Sequence, residues 1–306
     1  MAPRVFLITG TSTGFGNELV KVVLEKGDIA VATARNSSKL SFPGENDPTP
    51  NNHYSPFSTP RLTPAPGTSA KNFLALDLDV TDESSISKAI KSTLSKFSRI
   101  DVLVNNAGYG LSGEFESLSD AQIRKQMEVN FFGLINVTRE AMAAMREQKP
   151  PGGVIQQVTS IGGQRGVPTF SIYCASKWAV EGFTEAVAQE VKPEWGIRFT
   201  CVEPGGFRTD WGGRSMDFGE KKNEAYDHID ARKRMEERHM KQAGDPPKAA
   251  KAMYELAVME DPPLRCILGS DAYTGINAKL ESYRENVKKF EKLSNSTDVD
   301  GYQRPQ

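Results

Sequence analysis

The sequence predicts one α/β domain, with a doubly wound parallel sheet and helices on both faces of that sheet. Short apolar runs, such as residues 5–9 and 100–104, are typical of strands that are buried on both faces. These runs alternate with longer segments of helical periodicity, and polar motifs come directly after them. Because alternating strands and helices form parallel sheets, we expect a ligand at the carboxyl ends of the strands.

Six strands and five helices of this domain can be placed from the pattern of apolar residues. The predicted strands are 5–9, 28–34, 72–77, 100–104, 153–159 and 197–203. The predicted helices are 17–26, 82–97, 116–129, 132–148 and 170–192, with Asn130 between the third and the fourth.

Composition and charge limit the classes of partner. The chain has 306 residues, and 38% of them are hydrophobic, which is enough for a core of its own. Lys plus Arg number 38 and Asp plus Glu 39, so no net field favours nucleic acid or an anionic membrane. The few Cys and His residues lack metal-ligand spacing, which predicts neither a metal nor a disulfide. Because no apolar segment suits a signal sequence or a membrane span, we expect a cytoplasmic protein.

A glycine-rich turn follows the first strand. Residues 9–16 read TGTSTGFG, with glycines at positions 10, 14 and 16. Such glycines let the backbone turn tightly and let a phosphate approach the amides at the start of the next helix. The spacing GxxxGxG differs from the commoner GxGxxG, so a glycine-rich turn without a ligand is the alternative at this point.

The end of the second strand carries a cation. Proteins that bind NAD commonly place a carboxylate about 20 residues beyond the glycines, where it accepts a hydrogen bond from the ribose. Here the strand ends in Thr33, Ala34 and Arg35. A guanidinium suits a 2′-phosphate, so the sequence favours NADP(H), with Ser12 and Asn36 as further donors. The alternative is a solvated arginine at a strand end.

Tyr173 and Lys177 stand four residues apart, and Ser160 precedes the tyrosine by thirteen residues. Residues at this spacing share one face of a helix. A cation about 5 Å from a phenol contributes roughly 3 kcal/mol toward its ionisation at an effective dielectric near 20. We therefore expect Lys177 to lower the pKa of Tyr173 toward neutrality. A YxxxK pair also arises by chance on amphipathic helices, so the surrounding motifs decide.

Together these motifs resemble the short-chain dehydrogenase/reductase family of one-domain, Rossmann-type NAD(P)(H) oxidoreductases, with retinol and hydroxysteroid dehydrogenases nearest in character. The resemblance covers residues 5–269. It rests, in chain order, on TGTSTGFG, Asp79-Val80, NNAG at 105–108, Asn130, Ser160 with Tyr173 and Lys177, and PGGFRT at 204–209. Each motif alone is weak, but chance agreement of all of them in order is very improbable.

The resemblance implies the catalytic residues Ser160, Tyr173, Lys177 and Asn130. Tyr173 would exchange a proton with the substrate oxygen, Ser160 would hydrogen-bond that oxygen, and Asn130 would hold a water in a relay through Lys177. The implied cofactor-binding residues are Gly10, Ser12, Thr13, Gly14, Gly16, Arg35, Asp79, Asn106, Tyr173, Lys177 and Thr209.

The domain organisation follows from the same comparison. Residues 1–270 are assigned to a Rossmann-type NADP-binding catalytic domain, in which the proline-rich segment 37–70 is a disordered insertion and 210–243 a substrate lid. Residues 271–306 form a C-terminal helix and tail. Ile276, Leu280, Tyr283, Val287 and Phe290 recur every three or four residues there. We expect this stripe to pack on its own domain, and contact in a homo-oligomer is the alternative.

The lid predicts an apolar substrate. It carries Trp211, Met216, Phe218 and Tyr226 beside a charge-rich, solvated helix at 231–241, and the opposite wall is expected to contain Tyr109, Leu111, Phe115 and Phe170. Such a pocket favours a small apolar ketone, aldehyde or secondary alcohol. A catalytically silent NADP-binding sensor or scaffold is the alternative from another class, and the complete set of four catalytic residue types argues against it. A nucleotide-sugar epimerase would need a larger substrate domain than this chain can contain.

Overall fold

A seven-stranded parallel sheet forms the centre of the computed structural model, which describes residues 2–40, 71–221 and 223–302. The strands are β1 (Val5–Ile8), β2 (Ile29–Ala34), β3 (Phe73–Asp77), β4 (Val102–Asn105), β5 (Gly110–Ser112), β6 (Gly153–Val158), β7 (Ile197–Pro204), β8 (Met216–Phe218) and β9 (Arg265–Leu268). The sheet order is β3-β2-β1-β4-β6-β7-β9, and β5 pairs with β8 in a small second sheet. The prediction of a doubly wound parallel sheet is confirmed.

Helices cover both faces of this sheet. In chain order, the helices of the described residues are α1 (Gly14–Glu25), α2 (Glu83–Phe97), α3 (Asp120–Met127), α4 (Gly133–Glu147), α5 (Ser171–Glu190), α6 (Ala231–Arg238), α7 (Pro246–Val258), α8 (Ser270–Lys289) and α9 (Glu291–Asn295). Residues of α1 and α7 belong to the core on one face, and residues of α2, α4 and α5 to the core on the other.

The two cores meet at β1. Phe6 and Ile8 point to the α1 and α7 side, whereas Val5 and Leu7 point to the opposite side, and all four are essentially unexposed. Successive side chains of a strand point to opposite faces, which explains why an uninterrupted apolar run was required here. Full burial of one such side chain contributes about 1.5–3 kcal/mol.

The strand order reverses at β1, which positions the site. Leu7 is in register with Val31 of β2 on one side and with Leu103 of β4 on the other. The chain therefore leaves β1 and β4 in opposite directions, and a crevice opens at their carboxyl ends.

Some elements differ from the prediction. β9 and α7 were not predicted. β9 has only four residues and begins with Arg265, so it has no clear period. α3 begins at Asp120 and not at residue 116, because Ser119 and Gln122 form a capping box at its start. α1 begins at Gly14 instead of 17, since the glycine turn itself forms the first helical turn.

The C-terminal helix is present, but the predicted packing of its stripe holds only at Ile276 and is wrong for the other four residues. In α8 only Ala272 and Ile276 are buried. Leu280 and Tyr283 are 58% and 66% exposed, and Val287 and Phe290 are also exposed. The buried residues of α8 are therefore confined to its first two turns.

The predicted disorder of residues 37–70 lies almost entirely outside the described residues. The described part, residues 37–40, contains a short 3-10 helix, Ser37–Lys39, in which the Ser38 amide donates to the side chain of Asn36. Within residues 2–40, 71–221 and 223–302, no helix has the length and apolarity needed to cross a bilayer.

Candidate active site

A cleft of about 1080 Å³ lies at the carboxyl ends of the strands. It contains almost all the residues that the sequence suggested for cofactor binding and catalysis. The predicted residues that line it are Gly10, Ser12, Thr13, Gly14, Arg35, Asp79, Asn106, Ser160, Tyr173, Lys177 and Thr209. Gly16 and Asn130 do not line the cleft, and both are buried.

The glycine turn is shaped by close packing. Gly10 has φ +70, and a Cβ there would lie 2.8 Å from the Ala107 backbone. A Cβ at Gly16 would lie 2.6 Å from the carbonyl oxygen of Gly10. Gly14 opens α1 with φ +60. The turn therefore brings the free amides of a helix N-terminus to the cleft, where an anion is stabilised.

Asn106 holds this turn in place. Its Nδ2 donates to the carbonyl oxygens of Thr9 and Gly10, each at 2.9 Å. Its backbone amide donates to Thr9 Oγ1 at 3.0 Å. The side chain thus joins the end of β1 to the segment after β4, across the crevice between the two strands.

At the other end of the cleft, Arg35 follows β2 and is exposed. Its side chain has no hydrogen bond or ion pair with another described residue, so its donors are available to a ligand. Asn36 Oδ1 accepts from the amide and the hydroxyl of Ser38, which fixes its side chain and leaves the Nδ2 group as the donor that was predicted. Asp79 accepts from the amide and the hydroxyl of Thr81, at 2.9 and 2.7 Å, and lines the cleft.

Ser160 and Tyr173 meet near the middle of the cleft. Ser160 follows β6, and its Oγ accepts from the amide of Gly162 at 3.0 Å in a short 3-10 turn. Tyr173 lies in the first turn of α5 and hydrogen-bonds with Ser160. A Cβ on Gly162 would lie 3.3 Å from the Tyr173 ring and 3.4 Å from Ser160 Oγ, so this glycine allows their approach.

Lys177 lies one helical turn after Tyr173 and is buried. Its Nζ donates to the carbonyl oxygen of Val158 at 2.8 Å and lies 5.8 Å from the centre of the Tyr173 ring. Burial lowers the pKa of Lys177 to about 8.

The pKa of Tyr173 differs in direction from our expectation. Burial raises it to about 12, while the hydrogen bond with Ser160 opposes that rise. The expected lowering considered only the charge of Lys177. It omitted desolvation, which depends on tertiary packing and acts on both groups.

Asn130 lies in a π turn, Glu128–Phe132, that joins α3 to α4 without the predicted break. Its Nδ2 donates to the carbonyl oxygen of Tyr109 at 3.0 Å, and its Oδ1 accepts from the Tyr109 amide at 3.1 Å. A Cβ on Gly108 would lie 3.1 Å from Asn130 Oδ1 and 3.8 Å from Lys177 Nζ. Gly108 therefore leaves space beside both groups. A π turn inside a helix is frequent at functional sites.

Residues of the segment 210–243 line part of the cleft, and β8 in this segment pairs with β5. The Trp211 ring stacks on Phe170 at a centroid distance of 6.1 Å and lies 5.3 Å from the Tyr173 ring. Of the four predicted wall residues, Tyr109 and Phe170 line the cleft. Leu111 is fully buried and Phe115 is exposed, so neither lines it.

Sequence reasoning missed a group of cations at the cleft. Lys125, Arg165, Arg214 and Arg238 all line it. Lys125 is paired with Asp217 and Arg214 with Asp210, while Arg165 and Arg238 have no ion pair within the described chain. The spacing could have indicated Arg238, because it follows the buried Met235 by three residues and so shares its helix face.

Comparison with known proteins agrees with this geometry. The family model for short chain dehydrogenases matches residues 62–217. An uncharacterized oxidoreductase of Schizosaccharomyces pombe is 35% identical over 97% of this chain and 92% of its own. A 3-ketodihydrosphingosine reductase of Bacteroides thetaiotaomicron is 32% identical over 88% and 89%. The crystal structure of a short-chain dehydrogenase from Streptomyces avermitilis is 33% identical, with a TM-score of 0.80 over 97% of this chain and 100% of its own.

A parallel sheet with a glycine turn and a tyrosine-lysine pair in one cleft is the arrangement of a dinucleotide-dependent oxidoreductase. The chain belongs to the short-chain dehydrogenase family, which confirms the resemblance drawn from its motifs.

Proposed function

We propose that this protein is an NADP(H)-dependent oxidoreductase that interconverts an apolar ketone or aldehyde and the corresponding alcohol. One observation carries the proposal. Ser160, Tyr173 and Lys177 line the same cleft as the glycine turn, so an acid, a donor and a cation stand where a dinucleotide would reach.

The glycine turn and the amides that open α1 would hold the pyrophosphate, and Asp79, Asn106 and Thr209 line the route from the adenine end to the nicotinamide end. When bound, the nicotinamide supplies or accepts the hydride, and its oxidised ring adds positive charge beside Tyr173. Lys177, buried next to the tyrosine, would hold the ribose of that end.

Tyr173 would transfer the proton. With a pKa near 12 it is a protonated phenol at neutral pH, which suits donation to the carbonyl oxygen in the direction of reduction. Ser160 would donate a hydrogen bond to the same oxygen as negative charge develops on it. Asn130 and the space beside Gly108 would hold the water that returns a proton through Lys177.

NADP(H) is preferred over NAD(H) in this proposal because Arg35 follows β2 directly and its guanidinium donors are not used by other described residues. The residues of β2 itself are all uncharged, so none of them presents a carboxylate to the ribose hydroxyl. A guanidinium can bind a 2′-phosphate with two parallel hydrogen bonds.

The substrate class follows from the walls near Tyr173. Phe170, Trp211 and Tyr109 form an apolar surface beside the reactive groups. The name of one relative, a 3-ketodihydrosphingosine reductase, supports reduction of a ketone.

The test is hydride transfer by the purified protein. NADPH or NADH is incubated with a panel of apolar ketones and aldehydes and, for comparison, 2-keto acids and sugars, and the alcohol formed is quantified. We expect NADPH oxidation with one alcohol formed per NADPH, and only with apolar carbonyls. Tight NADPH binding without turnover on the whole panel would favour the sensor, and a preference for NADH would overturn the cofactor assignment.

A further inference from the structure

Two buried carboxylates lie behind the site, and the proposed mechanism does not use them. Glu181 is on α5, four residues after Lys177, and Glu203 is the second-last residue of strand β7. Their exposed fractions are 4% and 2%. Burial of two acidic side chains is costly unless cations or protons compensate for their charge.

One cation serves both carboxylates. Arg265, the first residue of β9, places its Nε 2.9 Å from Glu181 Oε2 and 3.8 Å from Glu203 Oε1. Its Nη2 donates to Glu185 Oε2 at 2.6 Å. Glu203 Oε1 also accepts from Gln164 Nε2 at 2.9 Å. A single guanidinium therefore faces three carboxylates, and the cluster carries an excess of negative charge.

One carboxylate oxygen of this cluster lacks a hydrogen-bond donor. Glu181 Oε1 is buried and accepts no hydrogen bond from the described residues. The carboxyl group of Glu203 lies on the same Arg265 Nε as Glu181, so the two acids are close enough for the charge of one to act on the other. A proton on Glu203 would supply the donor that Glu181 lacks, and would remove one of two like charges. In agreement, burial and then the charge of Glu181 raise the pKa of Glu203 to about 7.

Glu181 contacts both elements that carry the proposed catalytic residues Lys177 and Ser160. Glu181 shares a face of α5 with Lys177, and its charge opposes the lowering of the Lys177 pKa by burial. The turn after Ser160 lies against it as well, because a Cβ on Gly163 would be 3.1 Å from Glu181 Cγ. The same carboxylate thus supports the element that carries Lys177 and the element that carries Ser160.

We propose that Glu181 and Glu203 share one proton. They lie behind the cleft and act as positioning residues that keep the side chain of Lys177 in its ammonium form. The proposal rests on the proposed function, since it deepens the role of Lys177 in that reaction. The charged and titratable groups that face Glu181 or Glu203 are Lys177 and Glu185 of α5, Cys201 of β7, and Arg265 and Cys266 of β9. Lys279 of α8 donates to the carbonyl oxygen of Gln164, whose side chain binds Glu203.

The shared proton is tested by stability, which needs no turnover. The folded pKa of Glu203 lies above its ordinary value of 4.5, so the native state keeps a proton that the unfolded state releases. The wild type therefore loses stability as pH rises from about 4.5 to 7, and Glu203→Gln, which resembles the protonated acid, does not. Urea unfolding gives the folding equilibrium constant of each protein. We expect the ratio of this constant for Glu203→Gln to that for the wild type to rise on the order of a hundredfold between pH 5 and pH 8. A ratio that stays constant over this range would overturn the shared proton.

The effect on Lys177 is tested by the pH profile of hydride transfer. Removal of the Glu181 charge should let Lys177 lose its proton at lower pH, so the alkaline limb of kcat in Glu181→Gln should move down by on the order of one pH unit. Glu185→Gln is the matched control, because Glu185 binds the same arginine but has a half-exposed side chain. If kcat fell at the same alkaline pH in Glu181→Gln and Glu185→Gln, the positioning role would be overturned. If the wild type transfers no hydride, the proposed function fails, while the stability test still decides whether the proton is shared.

Discussion

The ammonium of Lys177 lies 5.8 Å from the centre of the Tyr173 ring, one turn further along α5. It is 7% exposed, and the carbonyl oxygen of Val158 accepts its hydrogen bond. Burial favours the neutral form of both side chains, so a charged Lys177 at this position costs free energy of folding. This pair is the feature of the site with the clearest consequences for stability.

Lys177→Met should stabilise the protein at neutral pH. The folded pKa of Lys177, about 8, lies below its ordinary value of 10.5 because of burial. The unfolded state therefore binds more protons between these values, so the wild type gains stability as pH rises from about 8 to 10.5. We expect the variant to unfold with on the order of 3 kcal/mol more free energy at pH 7, and this advantage to vanish by about pH 10.5.

Urea unfolding at a series of pH values measures this difference. Lys251→Met, at an exposed position of α7, is the control and should show no such pH dependence. If Lys177→Met were no more stable than the wild type at pH 7, the burial of the ammonium would be refuted.

Arg35→Gln should change the preference for cofactor. Loss of a charged hydrogen bond to the 2′-phosphate costs about 1.5–3 kcal/mol, so the Kd for NADPH should rise roughly 10- to 100-fold. The Kd for NADH should stay the same, since NADH has no 2′-phosphate. Titration of nicotinamide fluorescence measures both, and Arg198→Gln, at the exposed second residue of β7, serves as the control. An equal loss for both cofactors would mean that Arg35 does not read the 2′-phosphate.

Gly10→Ala should destabilise the fold more than Gly27→Ala. Both glycines have positive φ, +70 and +80, so each alanine adopts a left-handed conformation that costs roughly 1–2 kcal/mol. Only at Gly10 does the new Cβ also meet another group, the Ala107 backbone at 2.8 Å. Unfolding measurements on the two variants isolate the effect of that contact. Equal losses would show that the turn after β1 is not tightly packed against the segment after β4.

Two substitutions in α8 should differ sharply in their effect on stability. Ile276→Ala removes a buried side chain and should cost about 2–4 kcal/mol. Leu280→Ala, one turn further, should change the free energy of unfolding by less than about 0.5 kcal/mol, because Leu280 is 58% exposed. Urea unfolding at low protein concentration compares them. A large loss for Leu280→Ala would mean that this part of the stripe is covered, as in the homo-oligomer alternative.

The sequence contained most of the fold and the positions of the site residues, for a physical reason. Buried strands require uninterrupted apolar runs, and a parallel sheet gathers the residues that follow them, such as Asn106 and Ser160, at one edge. The four-residue spacing of Tyr173 and Lys177 then determines a shared helix face.

What the sequence could not give depends on tertiary surroundings. The pKa of Tyr173 is governed by desolvation, which no spacing of residues reports. The stripe of α8 has the period of a packed helix, but only tertiary packing decides that Ile276 is covered and Leu280 is not. Arg265 meets Glu181 and Glu203 only because β9 lies next to β7, and the short β9 has no pattern of its own.

The most direct test of the proposed chemistry is single-turnover hydride transfer by Tyr173→Phe, with NADPH affinity measured on the same sample. The substitution removes only the hydroxyl that would exchange a proton with the substrate oxygen. We expect the rate of transfer to fall roughly 10²- to 10⁴-fold while the Kd for NADPH stays within about a factor of two. A variant that transfers hydride at the wild-type rate would contradict the assignment of Tyr173 as the acid/base.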